Sequence, residues 1–497
     1  MLELFKSISL NKDSCTPLYI QLCDALKKMI SEGLLPTDSR LPSIRRMAEQ
    51  LDINQVTAVS AYKQLEKEGY AYSRPGSGTY VTNSLKTAEP AANVAILDEY
   101  YQSEELSVIS NDQIRIHENT INFASATPAS DLFPVENFKV VLNEVLERDK
   151  GNAFNYQDSH GYYPLMESIS NVLLKDIIAC EAADVQIISG AQQGIDVISK
   201  AFLSHGDYVL TESPTYTGAI AVFKSRGAQL ADIQIGEDGP DLAVLEYKLK
   251  TCKPKLIYTI PSFQNPTGYS YSNRKRAELL KLAEKYNAII IEDDYVSDFD
   301  FDKKGYLPLK SLDTGGRVIY IKSFSKIFMP GLRLGFMVIS SELKHKTLEA
   351  KHTTDISTSG LIQRAFDLYI RKGFWNTHLE FMYSIYKERY LELTNSLDKH
   401  LPNCVKYTKP GGGLNIWIEM PYGFPVNSLL KKAAANDIVF APGRVFYSGN
   451  SPQSINNIRL SFAAVFREQI EPGISKLCEI IKSLNSIRDS YVNIRIL

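Results

Sequence analysis

From about residue 120 onward, short apolar runs alternate with helical stretches, and this rhythm limits the fold more than any other feature of the 497-residue chain. The runs Val185–Ile188, Tyr208–Thr211, Lys255–Ile260, Ala288–Glu292, Val318–Lys322 and Gly335–Ile339 have the length and composition of strands. Helical periodicity lies between most of them, including 191–204, 216–226 and 272–286. Such alternation predicts an α/β domain built on a largely parallel sheet. Helical periodicity over 342–400 then gives way to strand candidates at Gly413–Glu419, Ile438–Phe440 and Ile458–Phe462. That tail predicts a smaller α+β subdomain.

The first eighty residues follow a different plan. Pro17 opens an amphipathic helix over 17–33, with Leu18, Leu22, Leu26 and Met29/Ile30 on one stripe and Gly33 as its stop. A second helix starts at Pro42, and the turn Asp52-Ile53-Asn54 leads to a third that ends at Gly69. Two short strands, Tyr70–Ser73 and Thr79–Thr82, flank Arg74-Pro75-Gly76-Ser77-Gly78. Helix, helix, turn, helix and hairpin in this order make a winged helix-turn-helix. The stretch 83–118 is small and polar, with weak helical pattern around 94–109, and is expected to be a linker. The domains are therefore expected at 1–82, 83–118 and 119–497.

A chain this long holds more than one compact unit. Net charge is −2, so no global basic field draws the chain to nucleic acid. Residues 1–82 hold ten Lys/Arg and nine Asp/Glu, so DNA binding must come from a local surface. The six cysteines are scattered, with no CxxC pair and no histidine at metal-ligand spacing. Reduced thiols, a cytoplasmic location and no bound metal are expected. There is no secretory pattern at Met1 and no long uncharged apolar run, so no membrane span is expected.

Within the N-terminal module stand Leu41-Pro42-Ser43-Ile44-Arg45, Asn54-Gln55-Val56-Thr57, Ala61-Tyr62, Glu68-Gly69-Tyr70 and Gly76-Ser77-Gly78-Thr79-Tyr80-Val81. Ser43, Thr57 and the amides at helix starts suit phosphates, while Arg45 and Gln55 suit base edges. The glycine-rich wing tip, with Gly76 and Gly78, suits close approach to the duplex backbone. Asn54, Tyr62 and Arg74 complete the expected DNA-facing set. This order of motifs closely resembles the GntR family of bacterial transcription regulators. The family usually has arginine where Gln55 stands. Glutamine pairs with adenine rather than guanine, so a different operator is expected.

In the large domain, Ser189-Gly190-Ala191-Gln192-Gln193 follows a strand and opens a helix, which makes a backbone phosphate site. Ser213-Pro214-Thr215-Tyr216 places an aromatic ring after a strand, and Asn265-Pro266-Thr267-Gly268 offers an amide. Ala288-Ile-Ile-Ile-Glu292-Asp293-Asp294-Tyr295 ends a buried-strand pattern in carboxylates. Ser323-Phe-Ser325-Lys326 then supplies an amine beside two hydroxyls, with Arg333 seven residues on and Arg459 on a late strand. A lysine for a Schiff base, small donors and a phosphate-gripping arginine suit pyridoxal 5'-phosphate (PLP).

Six such motifs in this order resemble the fold-type I, class I aminotransferases over roughly 120–490. The resemblance implies a Schiff base at Lys326 and a pyridine-nitrogen partner at Asp293, with Asp294 as the adjacent alternative. It implies that Tyr295 and Asn265 bond the ring's phenolic oxygen and that Tyr216 stacks on the ring. Ser323, Ser325, Arg333 and the amides of Ala191 and Gln192 would hold the phosphate, and Tyr156 would reach it from a partner subunit. Arg459 would clamp a substrate carboxylate, with Arg444 a second candidate for an anionic group. Two departures flank the substrate side: Phe123-Ala-Ser-Ala126-Thr-Pro128 lacks a glycine common in the family, and Met166 stands where arginine is common.

Both halves together resemble the MocR subfamily of GntR-type regulators. That implies a cytoplasmic, nucleoid-associated homodimer on an operator of repeated half-sites in double-stranded DNA. It would sense a small amino compound, or PLP itself, through aldimine chemistry at Lys326, without physiological turnover. Two alternatives stay open: a working aminotransferase that also autoregulates, and a PLP sensor that controls vitamin B6 synthesis.

Overall fold

The computed structural model describes residues 5, 8, 10–11, 17–31, 34–36, 39–67, 70–74, 78–81, 117, 119–175, 177–449 and 456–494. The chain divides into two compact units, Met1–Ile96 and Leu97–Leu497. The expected linker lies outside the described residues apart from His117 and residues at its border.

In the first unit, α1 (Leu18–Ser31), α2 (Ile44–Leu51) and α3 (Gln55–Lys67) surround one small core. Leu22, Leu26, Met29 and Ile30 face inward from α1, and Ala58, Ala61, Tyr62 and Leu65 from α3, because their spacing keeps them on one stripe. Ser43 caps α2 by accepting from the Arg46 amide at 3.4 Å. Asp52 ends the same helix in a left-handed conformation at φ 49°. A wing follows, in which β1 (Ala71–Arg74) pairs antiparallel with β2 (Gly78–Val81). The Ser39–Leu41 segment bonds along β2, Leu41 N to Thr79 O at 2.9 Å and Val81 N to Ser39 O at 3.0 Å.

The second unit contains β3 (Ile121–Asn122), β4 (Val185–Ile188), β5 (Tyr208–Ser213), β6 (Gln229–Gly236), β7 (Gly239–Pro240), β8 (Leu256–Thr259), β9 (Ile289–Asp294), β10 (Val318–Ser323) and β11 (Gly335–Val338). All but β3 form an eight-stranded sheet, ordered β4-β11-β10-β9-β8-β5-β6-β7. Strands β10, β9, β8, β5 and β6 are parallel, while β11 runs antiparallel to both β10 and β4. Strands β4, β5, β8, β9 and β10 therefore point the same way, and the loops at their carboxyl ends converge. Open α/β sheets bind ligands along that edge. β4, β8 and β10 are buried along their full length, as the apolar runs imply.

The C-terminal part adds β12 (Lys406–Tyr407), β13 (Asn415–Glu419), β14 (Ile438–Val439), β15 (Ala441–Pro442) and β16 (Asn457–Ser461). Four of these form a second sheet, ordered β12-β13-β16-β15, while β14 pairs with β3. The long helices Phe374–His400 and Arg467–Ile494 pack on each other beside it. No element was expected over Arg467–Ile494, a helix that carries Pro472. Pro472 lies in the second turn, inside the helix, and lacks the N–H that would bond the Glu468 carbonyl. No described helix is long and apolar enough to cross a membrane.

Candidate cofactor site and nucleic-acid interface

The residues singled out in the large domain gather at the carboxyl ends of β4, β5, β8, β9 and β10. Ser323 closes β10 and caps a one-turn 3-10 helix, Phe324–Lys326, by accepting from the Ser325 amide at 3.3 Å. The Ser323 hydroxyl also donates to Ser325 Oγ at 3.0 Å. Arg333 returns towards the start of the helix Ala191–Phe202, where Nη2 donates to the Ser189 carbonyl at 2.8 Å. Gly190 has φ 93°, and a Cβ there would lie 2.9 Å from that same Nη2, so only glycine lets the guanidinium this close. Gly335 lies between the two loops, since its Cβ would meet Gly190 Cα at 3.3 Å and Ser323 Cα at 3.4 Å. Hydroxyls, a helix start and a guanidinium thus converge in one cradle suited to a phosphate. Tyr216 donates to Gln192 Oε1 at 3.2 Å, which places its hydroxyl at that helix's first turn.

The two adjacent aspartates differ sharply. Asp294 is fully engaged: its oxygens accept from Ser297 N at 2.9 Å, Ser297 Oγ at 2.5 Å and Tyr320 Oη at 2.5 Å. Lys322 Nζ lies 3.6 Å from it and 2.9 Å from Asp298. Despite burial, the Lys322 cation and these donors hold its carboxyl below the usual range. Asp293, one pleat step away, accepts from Tyr258 Oη at 2.6 Å through Oδ2, while its buried Oδ1 has no hydrogen-bond partner. A buried acceptor left open in this way awaits a donor from a ligand. The alternation of the strand thus separates the alternatives: Asp293, not Asp294, has an oxygen to offer.

Burial pushes the Asp293 carboxyl from 3.8 up to about 7. Asp294 and Glu212 add repulsion, while the Tyr258 hydrogen bond and the Lys326 cation act against the rise. In the cofactor-free chain, Asp293 therefore holds its proton more tightly folded than unfolded. The resulting stability is present below about pH 4 and is lost as pH rises towards 7, by roughly 4 kcal/mol at most. Asp293→Asn should flatten this decline. The share from Glu292, also pushed up to about 7 by burial, should remain. Urea midpoints between about pH 4 and 8 measure it; an unchanged slope in the variant contradicts it.

Next to this pair runs a second network. Arg459 has no solvent exposure; Nη1 donates to Asn265 Oδ1 at 2.9 Å and Nη2 to the Ala124 carbonyl. Its guanidinium sits 5.0 Å from the Phe446 ring centroid. Asn415 Nδ2 donates to Tyr295 Oη at 3.0 Å, and that hydroxyl in turn donates to the Phe263 carbonyl at 2.7 Å. The loop carrying Asn265 is fixed by buried Glu212, which accepts from Thr259, Ile260, Gln264 and Tyr271.

Other expected residues stand apart from this cluster. Arg444 donates to Asn427 Oδ1. Tyr156 is 85% exposed. Tyr258, Asn415 and Lys322 were not foreseen. Each is a polar residue inside an apolar strand run, and that irregularity was the available signal.

In the winged unit, Ser43, Asn54 and Thr57 lie at helix starts. Asn54 Oδ1 accepts from the Val56 amide at 3.0 Å, so it caps α3. Arg45 is exposed and bonds Glu49 at 3.0 Å across one helical turn. Tyr62, expected on the DNA face, is instead buried, and its hydroxyl donates to the Pro42 carbonyl at 2.8 Å. Helical periodicity is the reason, because Tyr62 shares the inward stripe with Ala58 and Leu65. Gly78 has φ 118° and packs under Arg40, a cation at the wing's base that sequence reasoning passed over. Gly76 and the Arg74 side chain lie outside the described residues.

The family model for aminotransferase class I and II matches residues 118–477, and that for bacterial regulatory proteins of the gntR family matches 18–81. The chain belongs to the aminotransferase class I and II family and, with its GntR domain, to the MocR subfamily of GntR-type regulators. It is 33% identical over 370 residues to aromatic-amino-acid aminotransferase 1 of Thermococcus litoralis, covering 73% of this chain and 88% of that one. Over 481 residues it is 28% identical to the probable rhizopine catabolism regulatory protein MocR of Rhizobium meliloti, covering 96% of each. Its fold matches alpha-aminoadipate aminotransferase LysN of Thermus thermophilus, solved with N-(5'-phosphopyridoxyl)-L-leucine. The TM-score is 0.71 at 32% identity, over 78% of this chain and 96% of that one. PLP is the cofactor of this family, and the open Asp293 Oδ1 and the Gly190–Arg333 cradle fit it.

Proposed function

We propose that this MocR-type chain is a DNA-binding regulator, acting as a homodimer, whose cofactor pocket senses a small amino compound bearing an acid group. The observation that carries it is Arg459, a fully buried guanidinium bonded to Asn265 within the cofactor cluster, on a chain that also carries a DNA-binding domain. A buried cation fixed this way suits a carboxylate in bidentate geometry.

Bound PLP supplies a carbonyl carbon on which amines exchange and a ring that withdraws electrons. Lys326 would be the amine that holds the cofactor. Asp293 Oδ1 would accept from the ring nitrogen, with Tyr258 keeping its other oxygen in place. Ser323, Ser325, Arg333 and the amides of Ala191 and Gln192 hold the phosphate, with Tyr156 added from the second subunit. Tyr216 would cover the ring, and Asn265 and Tyr295 would orient its phenolic side. Arg459 clamps the effector's acid group, and Arg444 is a second contact for a longer one. A free Lys326 and an acid held on Arg459 would mark the effector-bound state, which would supply the differential affinity a switch needs.

Arg459→Gln separates this from plain amine exchange. In the variant, an amino acid should lose roughly 10- to 100-fold in apparent affinity, while an amine without an acid group should change little. Change in cofactor absorption on titration measures both. Equal losses for both ligands contradict the acid clamp. The Lys326, Asp293 and Arg459 set also suffices for transamination, and keto acid formation in the same samples reports it.

A further inference from the structure

Two side chains at the start of α3 stand out because both are exposed. Gln55 is exposed, and its carboxamide bonds to none of the described residues. Val56 is 68% exposed and lies outside the core that Ala58, Ala61, Tyr62 and Leu65 complete. A branched apolar side chain in water at a helix start gains nothing for the fold. The backbone beneath the pair is fixed: Asn54 Oδ1 holds the Val56 amide at 3.0 Å, and the Asn54 carbonyl holds the Thr57 amide at 3.0 Å. Tyr62, through Pro42, pins the same helix to the start of α2. A rigid corner therefore presents one amide and one apolar group, side by side.

We propose that this pair sets operator specificity: Gln55 reads adenine, and Val56 reads the C5-methyl of a thymine on a neighbouring base pair. It rests on the DNA-binding function proposed above and names the sequence that function selects. Adenine offers an acceptor at N7 and a donor at N6 in the major groove, the mirror of a carboxamide's donor and acceptor. Thymine alone among the four bases carries a methyl group there, and an exposed valine is its apolar complement. Recognition helices of this class contact base edges with their N-terminal residues, which is where both side chains stand.

The test uses the full-length, PLP-loaded chain and selection from random duplex DNA. Each selected half-site should hold an adenine with a thymine at an adjacent pair. Replacing that thymine by deoxyuridine removes one methyl group and should weaken binding about threefold to fivefold. Val56→Ala should bind the thymine and deoxyuridine duplexes alike. Gln55→Arg should move the selected base from adenine to guanine. Selection of guanine by the natural chain, or equal binding of both duplexes by it, overturns the assignment while leaving DNA binding intact. Failure to select any sequence overturns DNA binding and the assignment together.

Discussion

Asp294→Ala should destabilise the large unit by roughly 3–5 kcal/mol, the usual cost of removing one partner from a buried ion pair. Asp294 and Lys322 are both about 7% exposed, so water cannot replace what is lost. The substitution leaves Lys322 with Asp298 alone and strips the acceptor from the Tyr320 hydroxyl and from Ser297. Because the chain has two units, a single two-state midpoint would blur the effect. Calorimetry that resolves the large unit's transition is the right measurement, and Asp293→Asn is the control. In the cofactor-free chain at neutral pH that control should be stable, since it removes a carboxyl whose ionised form burial disfavours. An Asp294→Ala protein with an unshifted transition contradicts the division of labour between the two aspartates.

Lys326→Ala should abolish covalent retention of the cofactor. Lys326 ends the 3-10 turn whose cap is Ser323, and its cation is close enough to Asp293 to draw that carboxyl's affinity for protons down. Borohydride reduction followed by peptide mass analysis should find the cofactor on the Lys326 peptide of the natural chain and nowhere in the variant. The phosphate cradle of Ser323, Ser325 and Arg333 is untouched by the change, so reversible binding should persist at lower affinity. Cofactor trapped on another lysine of the variant contradicts the assignment.

The layout of the site was legible in the sequence because each chemical residue ends an apolar run. Ser189, Asn265, Asp293 and Ser323 all follow strand patterns, and a parallel sheet brings such ends to one edge. The choice between Asp293 and Asp294 was not legible. It depends on which pleat face meets Tyr258 and which meets Tyr320 and Lys322, and those partners come from β8 and β10. Asn415 was hidden for the same reason, since its bond to Tyr295 joins residues 120 positions apart. In the winged unit the inward stripe of α1 was readable as periodicity, and Leu22, Leu26, Met29 and Ile30 are buried. Tyr62 was misplaced because a tyrosine suits either a wet or a dry face; its place on the stripe with Ala58 and Leu65 buries it, and its hydroxyl then bonds Pro42.

The central claim is that one pocket and one DNA-binding domain act as a single switch. The most direct measurement is operator affinity of the PLP-loaded full-length chain, titrated with a panel of small amino acids, beside Lys326→Ala. The account predicts that at least one amino acid changes the affinity of the natural chain, by a factor of about 5 to 150, and leaves the variant unchanged. An amino acid that displaces Lys326 in the natural chain, seen in cofactor absorption, yet leaves operator affinity the same would contradict it.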